Sequence, residues 1–282
     1  MLVLFGVFMI ASMGAIAKIL SEDIHPIELS FYRNFMVLAG MVLFLLYTKK
    51  WHYIKTKRHK DHMIRSLIGT VGLVCGFWSI SLLPLATAAT LYHTAPLLVV
   101  LLSAPMLKEK IGVLRYFAVL FGFLGVLFVI QPNGQDVVVV GLIFAFFDAL
   151  ASALTQIYLR DLGRTENSFI TVFYYMVVGL ITTLLMLPFV WSGIPKSESI
   201  VLLIGLGLTG WLQQVAKTKG YAMAPVAVTA PLTYTGIIWS IIFSWVFWDV
   251  LPTIYVIFGA SIIISSNLFI VWREHKKSRK PT

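Results

Sequence analysis

The chain has 282 residues, 59% of them hydrophobic and 12% charged, with a mean hydropathy of +0.89 and a formal net charge of +10. A soluble domain carries about 45–50% apolar and about 25% charged residues, so that class is excluded and an all-α integral membrane protein is expected. Basic loops at an anionic inner membrane surface account for the positive charge, so no nucleic-acid partner is expected.

A helical span needs roughly 20 apolar residues, and ten such runs follow one another: Leu2–Leu20, Glu28–Tyr47, Met63–Leu83, Ala86–Leu107, Gly112–Ile130, Val138–Leu159, Phe169–Val190, Ile200–Lys217, Val226–Trp248 and Thr253–Trp272. The first lacks a basic leader and is read as a retained helix, not a signal peptide. In the fourth, Thr90, His93, Thr94 and Pro96 interrupt apolar sequence, where polar groups are costly unless they face another helix or a water-filled path. The only cysteine, Cys75, lies in the third run and excludes an intramolecular disulfide. Trp51, Trp191, Trp248 and Trp272 stand at run ends, as interfacial anchors do.

With the Met1 end inside, 19 of the 22 lysines and arginines fall on the cytoplasmic side, and only Lys18, Arg33 and Lys196 in the outer half. Both termini are therefore expected in the cytoplasm of a cell whose plasma (inner) membrane the chain crosses repeatedly. Compared with itself at an offset near 141 residues, the chain gives a weak recurring match: Phe31-Tyr32 with Phe173-Tyr174, Gly69 with Gly210, Pro84 with Pro225 and Ala118 with Gly259. Two five-span halves, residues 1–135 and 136–282, are expected, the second inverted because five is odd. The tetrapeptide at Thr94–Leu97 recurs at Thr229–Leu232 out of that register, so Pro96 and Pro231 are read as separate kinks.

Ten spans in under 300 residues, the Phe31-Tyr32-Arg33-Asn34 start of the second run, the Leu83-Pro84-Leu85-Ala86 corner, the Pro96 to Leu107-Lys108-Glu109 stretch and the Val129-Ile130-Gln131-Pro132 ending resemble the EamA-type drug/metabolite transporter superfamily. The resemblance covers essentially the whole chain. It departs at Ile237, where a proline is expected, and at Asp249, where a glutamate is usual. It implies a secondary transporter of small organic metabolites such as amino acids, S-adenosylmethionine or other nucleotide derivatives, vitamins or cationic solutes, with a path among the first, third, fourth, sixth, eighth and ninth helices. No enzymatic activity, cofactor or metal is expected; a homodimer is left open. A channel-like protein or a non-transporting membrane scaffold is the alternative.

Asp148 is the only acid near the middle of a run, and helical spacing stacks Ser152 and then Thr155 or Gln156 on its face. A carboxyl at that depth serves as a proton carrier, a cation counter-ion or both, against packing alone, so Asp148 is both a coupling and a binding candidate. His93, adjoined by Tyr92, offers an imidazole to a solute. Gln213 and Gln214 point about 100° apart, so one of them faces a cavity in either helix rotation. Trp78, Tyr234 and Trp239 are candidate aromatic walls for a planar or cationic solute. For Arg33, with Glu28 and Lys18 nearby, an ion pair holding the outer rim outweighs a dock for a solute carboxylate.

Overall fold

The computed structural model describes residues 1–107, 113–130, 139–223 and 232–278. Its elements are helices: α1 (Leu2–Leu20), α2 (Pro26–Thr48), α3 (His59–Leu82), α4 (Leu85–Tyr92), α5 (Ala95–Leu107), α6 (Val113–Ile130), α7 (Val139–Leu162), α8 (Ser168–Met186), α9 (Ser197–Met223), α10 (Thr235–Trp248) and α11 (Ile254–Ser278). Single 3₁₀ turns follow α2 and α8. Among the described residues nine segments are long and apolar enough to span a bilayer, α4 and α5 together forming one, and α10 is a shorter apolar helix. Helices are what such a sequence must form, because backbone N–H and C=O groups in hydrocarbon find partners only within the helix.

The burial pattern completes the argument. Large apolar side chains face outward, as at Leu124, Phe147, Leu185 and Ile257, whereas Arg33, Asn34, Thr70, Thr90 and Asn267 are buried. A polar interior with an apolar exterior is stable only in lipid, so the chain is a multi-pass membrane protein.

Helix ends follow local chemistry. His25 caps α2, its Nδ1 accepting from the Ile27 N–H at 3.3 Å, with Pro26 in the first turn where a missing N–H costs nothing. Asn167 caps α8 in the same way. Lys49 and Asp249, at φ 55° and 54°, close α2 and α10 in the left-handed conformation. Lys18 donates to the carbonyls of Ile80 and Leu83 at 2.9 and 2.8 Å, satisfying the end of α3.

The fourth span breaks just before the expected Pro96 kink. Pro96 cannot donate to the Tyr92 carbonyl, so the helix stops after Tyr92, turns through His93-Thr94 and restarts at Ala95. The Leu97 N–H bonds to the Thr94 carbonyl at 2.9 Å, and the His93 carbonyl it would otherwise reach accepts from the Asn267 amide of α11 at 3.1 Å. A second turn lies at Tyr234, before α10. The start of the ninth expected span with its Pro231 kink, the Lys108–Lys110 stop and the Gln131-Pro132 ending lie outside the described residues. The third span starts earlier than expected, at His59, which carries His62 into a helix where it is fully buried.

The helices pack in pairs: α1 on α9, α3 on α7, α2 on α8, α6 on α11, and α4 on α10. Glycines set the closest approaches. A Cβ at Gly125 would stand 2.7 Å from the Gly259 carbonyl oxygen, and one at Gly259 would stand 2.5 Å from that of Gly125. Small residues let helices in lipid gain van der Waals contact where no hydrophobic force joins them.

Two outcomes follow from these contacts. Gly125→Leu should lower the thermal midpoint of the purified protein, overpacking costing about 1–3 kcal/mol. Gly205→Ala, whose Cβ meets only Ile16 Cδ1 at 3.4 Å, should leave it near wild type. The His25 ring is held below its ordinary imidazole range by burial, partly offset by Glu28. The unfolded chain therefore takes up that proton first, and the stability gained from a neutral His25 is lost as pH falls from 6.5 toward the lowered folded value. Midpoints measured from about pH 7 to about pH 5 should fall less steeply for His25→Asn, which keeps a capping side chain without titrating; an unchanged slope contradicts the assignment.

Candidate functional site

The turn between α4 and α5 places His93 at the centre of the bundle. Its ring lies 5.6 Å from that of Tyr92 and 5.3 Å from that of Tyr234. His93 Nε2 approaches Gly236, where a Cβ would stand 3.6 Å away. The Tyr92 hydroxyl meets Ser152 Oγ of α7 at 3.5 Å, and Gln156 Nε2 reaches the same Ser152 at 3.4 Å. Three of the residues singled out in the sequence, Tyr92, His93 and Tyr234, thus form one aromatic and polar group against α7.

Asp148 lies four residues before Ser152 on α7, at the α3 contact. The spacing of Gly69, Gly72 and Gly76 puts them on one face of α3. A Cβ at Gly76 would stand 2.9 Å from Asp148 Oδ2, and one at Gly72 would stand 2.9 Å from the Ala151 Cβ. The carboxyl is half-buried against this face and makes no hydrogen bond or ion pair with a described residue. Trp78, two residues beyond Gly76, stacks on Phe144 at 4.5 Å and 6°, and meets His25 edge-on at 4.9 Å. One Trp78 face is therefore already covered by Phe144, which the sequence reading missed.

The remaining candidates stand apart. Trp239 packs edge-on against Phe8 at 4.8 Å and borders an apolar groove of about 710 Å³ between α1 and α10. Exposed Phe5 and Ile238 line that groove, so it opens toward hydrocarbon. Gln213 is buried and Gln214 half-buried on α9, and neither hydrogen-bonds to Asp148 or His93.

The expected ion pair of Arg33 at the outer rim is corrected. Glu28 accepts instead from the Ser192 N–H and hydroxyl at 2.5 and 2.7 Å, and Lys18 is held by the end of α3. Arg33 turns inward, buried, and donates to Asn34 Oδ1 at 3.0 Å. Arg65, counted by sequence with the inner surface, is buried two turns inside α3, its guanidinium 4.5 Å from the centre of the Tyr175 ring. The sequence did carry a signal: Arg65 precedes Gly69, Gly72 and Gly76 at steps of four, three and four, so all four share a face.

Polar contacts close both ends of the bundle. At one, Arg58 bridges Asp61 at 2.7 Å and Asp161, whose hydrogen bonds hold its guanidinium above the ordinary range. His59 meets the Tyr174 hydroxyl, His62 stacks on the Tyr174 ring at 5.0 Å, and Thr56 donates to Glu166 at 2.9 Å. At the other, Lys196 pairs with Asp23 at 2.9 Å beside the Glu28–Ser192 contact, and Asp23 raises the Lys196 ammonium.

The EamA-like transporter family model matches residues 1–131 and 139–272. An uncharacterized transporter of Helicobacter pylori strain J99 is 30% identical over 284 residues, 95% of each chain. A pseudopaline exporter of Pseudomonas aeruginosa strain UCBPP-PA14 is 28% identical over 94% of this chain and 92% of its own. An S-adenosylmethionine uptake transporter of Rickettsia conorii is 28% identical over 93% and 88%. A solved crystal structure, 17% identical, superposes over 98% of this chain and 97% of its own with a TM-score of 0.68, a likeness of fold.

Proposed function

We propose that this chain, which belongs to the EamA-like transporter family, is a secondary carrier of a small organic solute that alternates access between two inverted five-helix halves. The observation that carries the reading is the meeting of His93 and Tyr234. They are 141 residues apart, the offset of the sequence repeat, His93 lies in the turn between α4 and α5 and Tyr234 in the turn before α10, and their rings stand 5.3 Å apart. Exchange of the halves turns the α1–α9 contact into the α7–α3 contact and leaves α2–α8, α4–α10 and α6–α11 paired, which supports the same plan. Inverted repeats supply two pseudo-equivalent conformations, and carriers built this way bind solute where discontinuous helices meet.

The solute lies against the group of Tyr92, His93, Tyr234 and Ser152, with Asp148 as its coupling residue. A carboxyl without an ion partner can take up a proton from one side and release it to the other, or stand opposite a cationic solute. Relatives named for S-adenosylmethionine uptake and pseudopaline export support a charged organic metabolite. Trp78 and Trp239 border the path, and Gln213 or Gln214 orients the solute. Both termini face the cytoplasm.

A cysteine at Lys57 in a Cys75→Ala background should be labelled only from the cytoplasm, and one at Ser197 only from outside; external labelling at Lys57 contradicts the orientation. In proteoliposomes, a screen of amino acids, S-adenosylmethionine, riboflavin and choline-like cations should find saturable uptake of a charged organic solute. Asp148→Asn should keep solute exchange but lose pH-driven accumulation by about tenfold or more. Loss of both would assign Asp148 to cation binding, and normal accumulation would leave it a packing residue.

A further inference from the structure

Two guanidinium groups inside the bundle have no anion among the described residues to neutralise them. Arg33 of α2 and Arg65 of α3 are 3% and 5% exposed, and both lie over the Tyr175 ring of α8, at 5.6 and 4.5 Å. Together they carry about ten N–H donors. Arg33 Nη1 donates to Asn34 Oδ1 at 3.0 Å and approaches the Met176 sulfur at 3.5 Å. Arg33 Nε, Arg65 Nε and Nη1, Asn34 Nδ2 and Ser66 Oγ are enclosed with no hydrogen-bond partner among the described residues.

No described carboxylate reaches this group. Glu28 is held by Ser192, Asp61 and Asp161 by Arg58, Glu166 by Thr56 and Asp23 by Lys196, while Asp148 lies against Gly76. A buried charge that serves only architecture is paired, because an unpaired one loses its hydration without compensation. Two like charges around one neutral ring add repulsion. Guanidinium is also the cation whose planar fork matches a carboxylate in two parallel hydrogen bonds.

We infer that Arg33 and Arg65 form a docking site for the carboxylate of the carried solute. This rests on the carrier reading and goes further by naming the solute as one that bears a carboxylate. The α3 face running through Arg65, Gly69, Gly72 and Gly76 ties this site to Asp148. From Arg65 to Gly76 it covers about 16 Å of helix, a gap shortened by the reach of the arginine and aspartate side chains. Between them a Cβ at Gly69 would stand 3.1 Å from the Tyr175 ring of α8 and 3.7 Å from Thr155 Oγ1 of α7, and that enclosed hydroxyl also lacks a partner among the described residues. A positive end, a polar middle and a carboxyl end suit a zwitterion that carries its cationic group away from its carboxylate. The site is closed over by glycines: a Cβ at Gly179 would stand 2.7 Å from Asn34 Nδ2, and one at Gly210 would stand 3.2 Å from Arg33 Nε. Separation of α8 and α9 from α2 and α3 is the movement that uncovers the free N–H groups.

The purified full-length chain in neutral detergent is heated at constant ionic strength with acetate, with chloride or with added phosphatidylglycerol, and its unfolding is followed by tryptophan fluorescence. Acetate should raise the midpoint by roughly 3 °C over chloride, and Arg33→Gln and Arg65→Gln should each abolish that rise. Without acetate both variants should unfold at or above the wild-type midpoint, since each removes an uncompensated charge; a lower midpoint would overturn the site in favour of an architectural role. An equal rise with chloride, or a rise confined to phosphatidylglycerol, would overturn the carboxylate assignment in favour of an inorganic anion or a lipid headgroup. No rise with acetate overturns it outright. In proteoliposomes, wild-type protein should prefer S-adenosylmethionine to its decarboxylated form by about tenfold or more, and Arg65→Gln should erase the preference; an unchanged preference contradicts the site. Transport of neither compound would count against the carrier reading or this solute, and the acetate result would still decide the site.

Discussion

The approach of α3 to α7 and α8 along Arg65, Gly69, Gly72 and Gly76 is the constraint on which the interior depends. Helices in lipid gain little from burying apolar surface against one another, so close van der Waals contact has to hold them. Here the contact is so close that a Cβ at Gly72 or Gly76 would stand 2.9 Å from Ala151 or Asp148. The absence of a side chain at Gly72 and Gly76 is what leaves room for Asp148 at this contact, since a Cβ at Gly76 would meet its carboxyl. The same face sets Tyr175 against Gly69 and so brings Arg65 and Arg33 over one ring.

The second organising feature is the break between α4 and α5, with the turn at Tyr234 before α10. Pro96 ends α4 by removing the hydrogen bond to the Tyr92 carbonyl, and in the turn that follows the His93 carbonyl accepts from Asn267 of α11. Irregular backbone at this depth persists where protein surrounds it. It exposes His93 and Tyr234 to each other, and through Tyr92 and Ser152 it joins the α7 stripe that carries Asp148. Polar contacts at both ends of the bundle enclose this interior. Arg58 with Asp61 and Asp161 closes one end, and Glu28 with Ser192 and Lys196 with Asp23 close the other.

Much of this was legible in the sequence because the bilayer imposes a simple rule: apolar runs of span length become helices. The first span matched to the residue; His93 was singled out, with its neighbour Tyr92, because it interrupts an apolar run, and Tyr234 as an aromatic wall. Arg65 was missed because its nearness to basic loops suggested a surface role, and a composition rule does not see that α3 begins at His59 and draws it inward. Arg33 was assigned an ion pair because Glu28 is a helical neighbour in sequence. The partner Glu28 takes, Ser192, lies 164 residues away, a contact that only tertiary packing creates. Likewise Phe144 covers Trp78 across two helices, and no local spacing announces it.

The central claim is that the two halves move about a solute bound among Tyr92, His93, Tyr234 and Asp148 in a carrier cycle. Counterflow tests it most directly. Proteoliposomes of the purified chain are preloaded with unlabelled S-adenosylmethionine and diluted into a trace of the labelled compound without any ion gradient. The account predicts a transient accumulation of label above the external concentration, absent from empty vesicles and from liposomes without protein. Simple equilibration of label, unaffected by preloading, would describe a channel and contradict it.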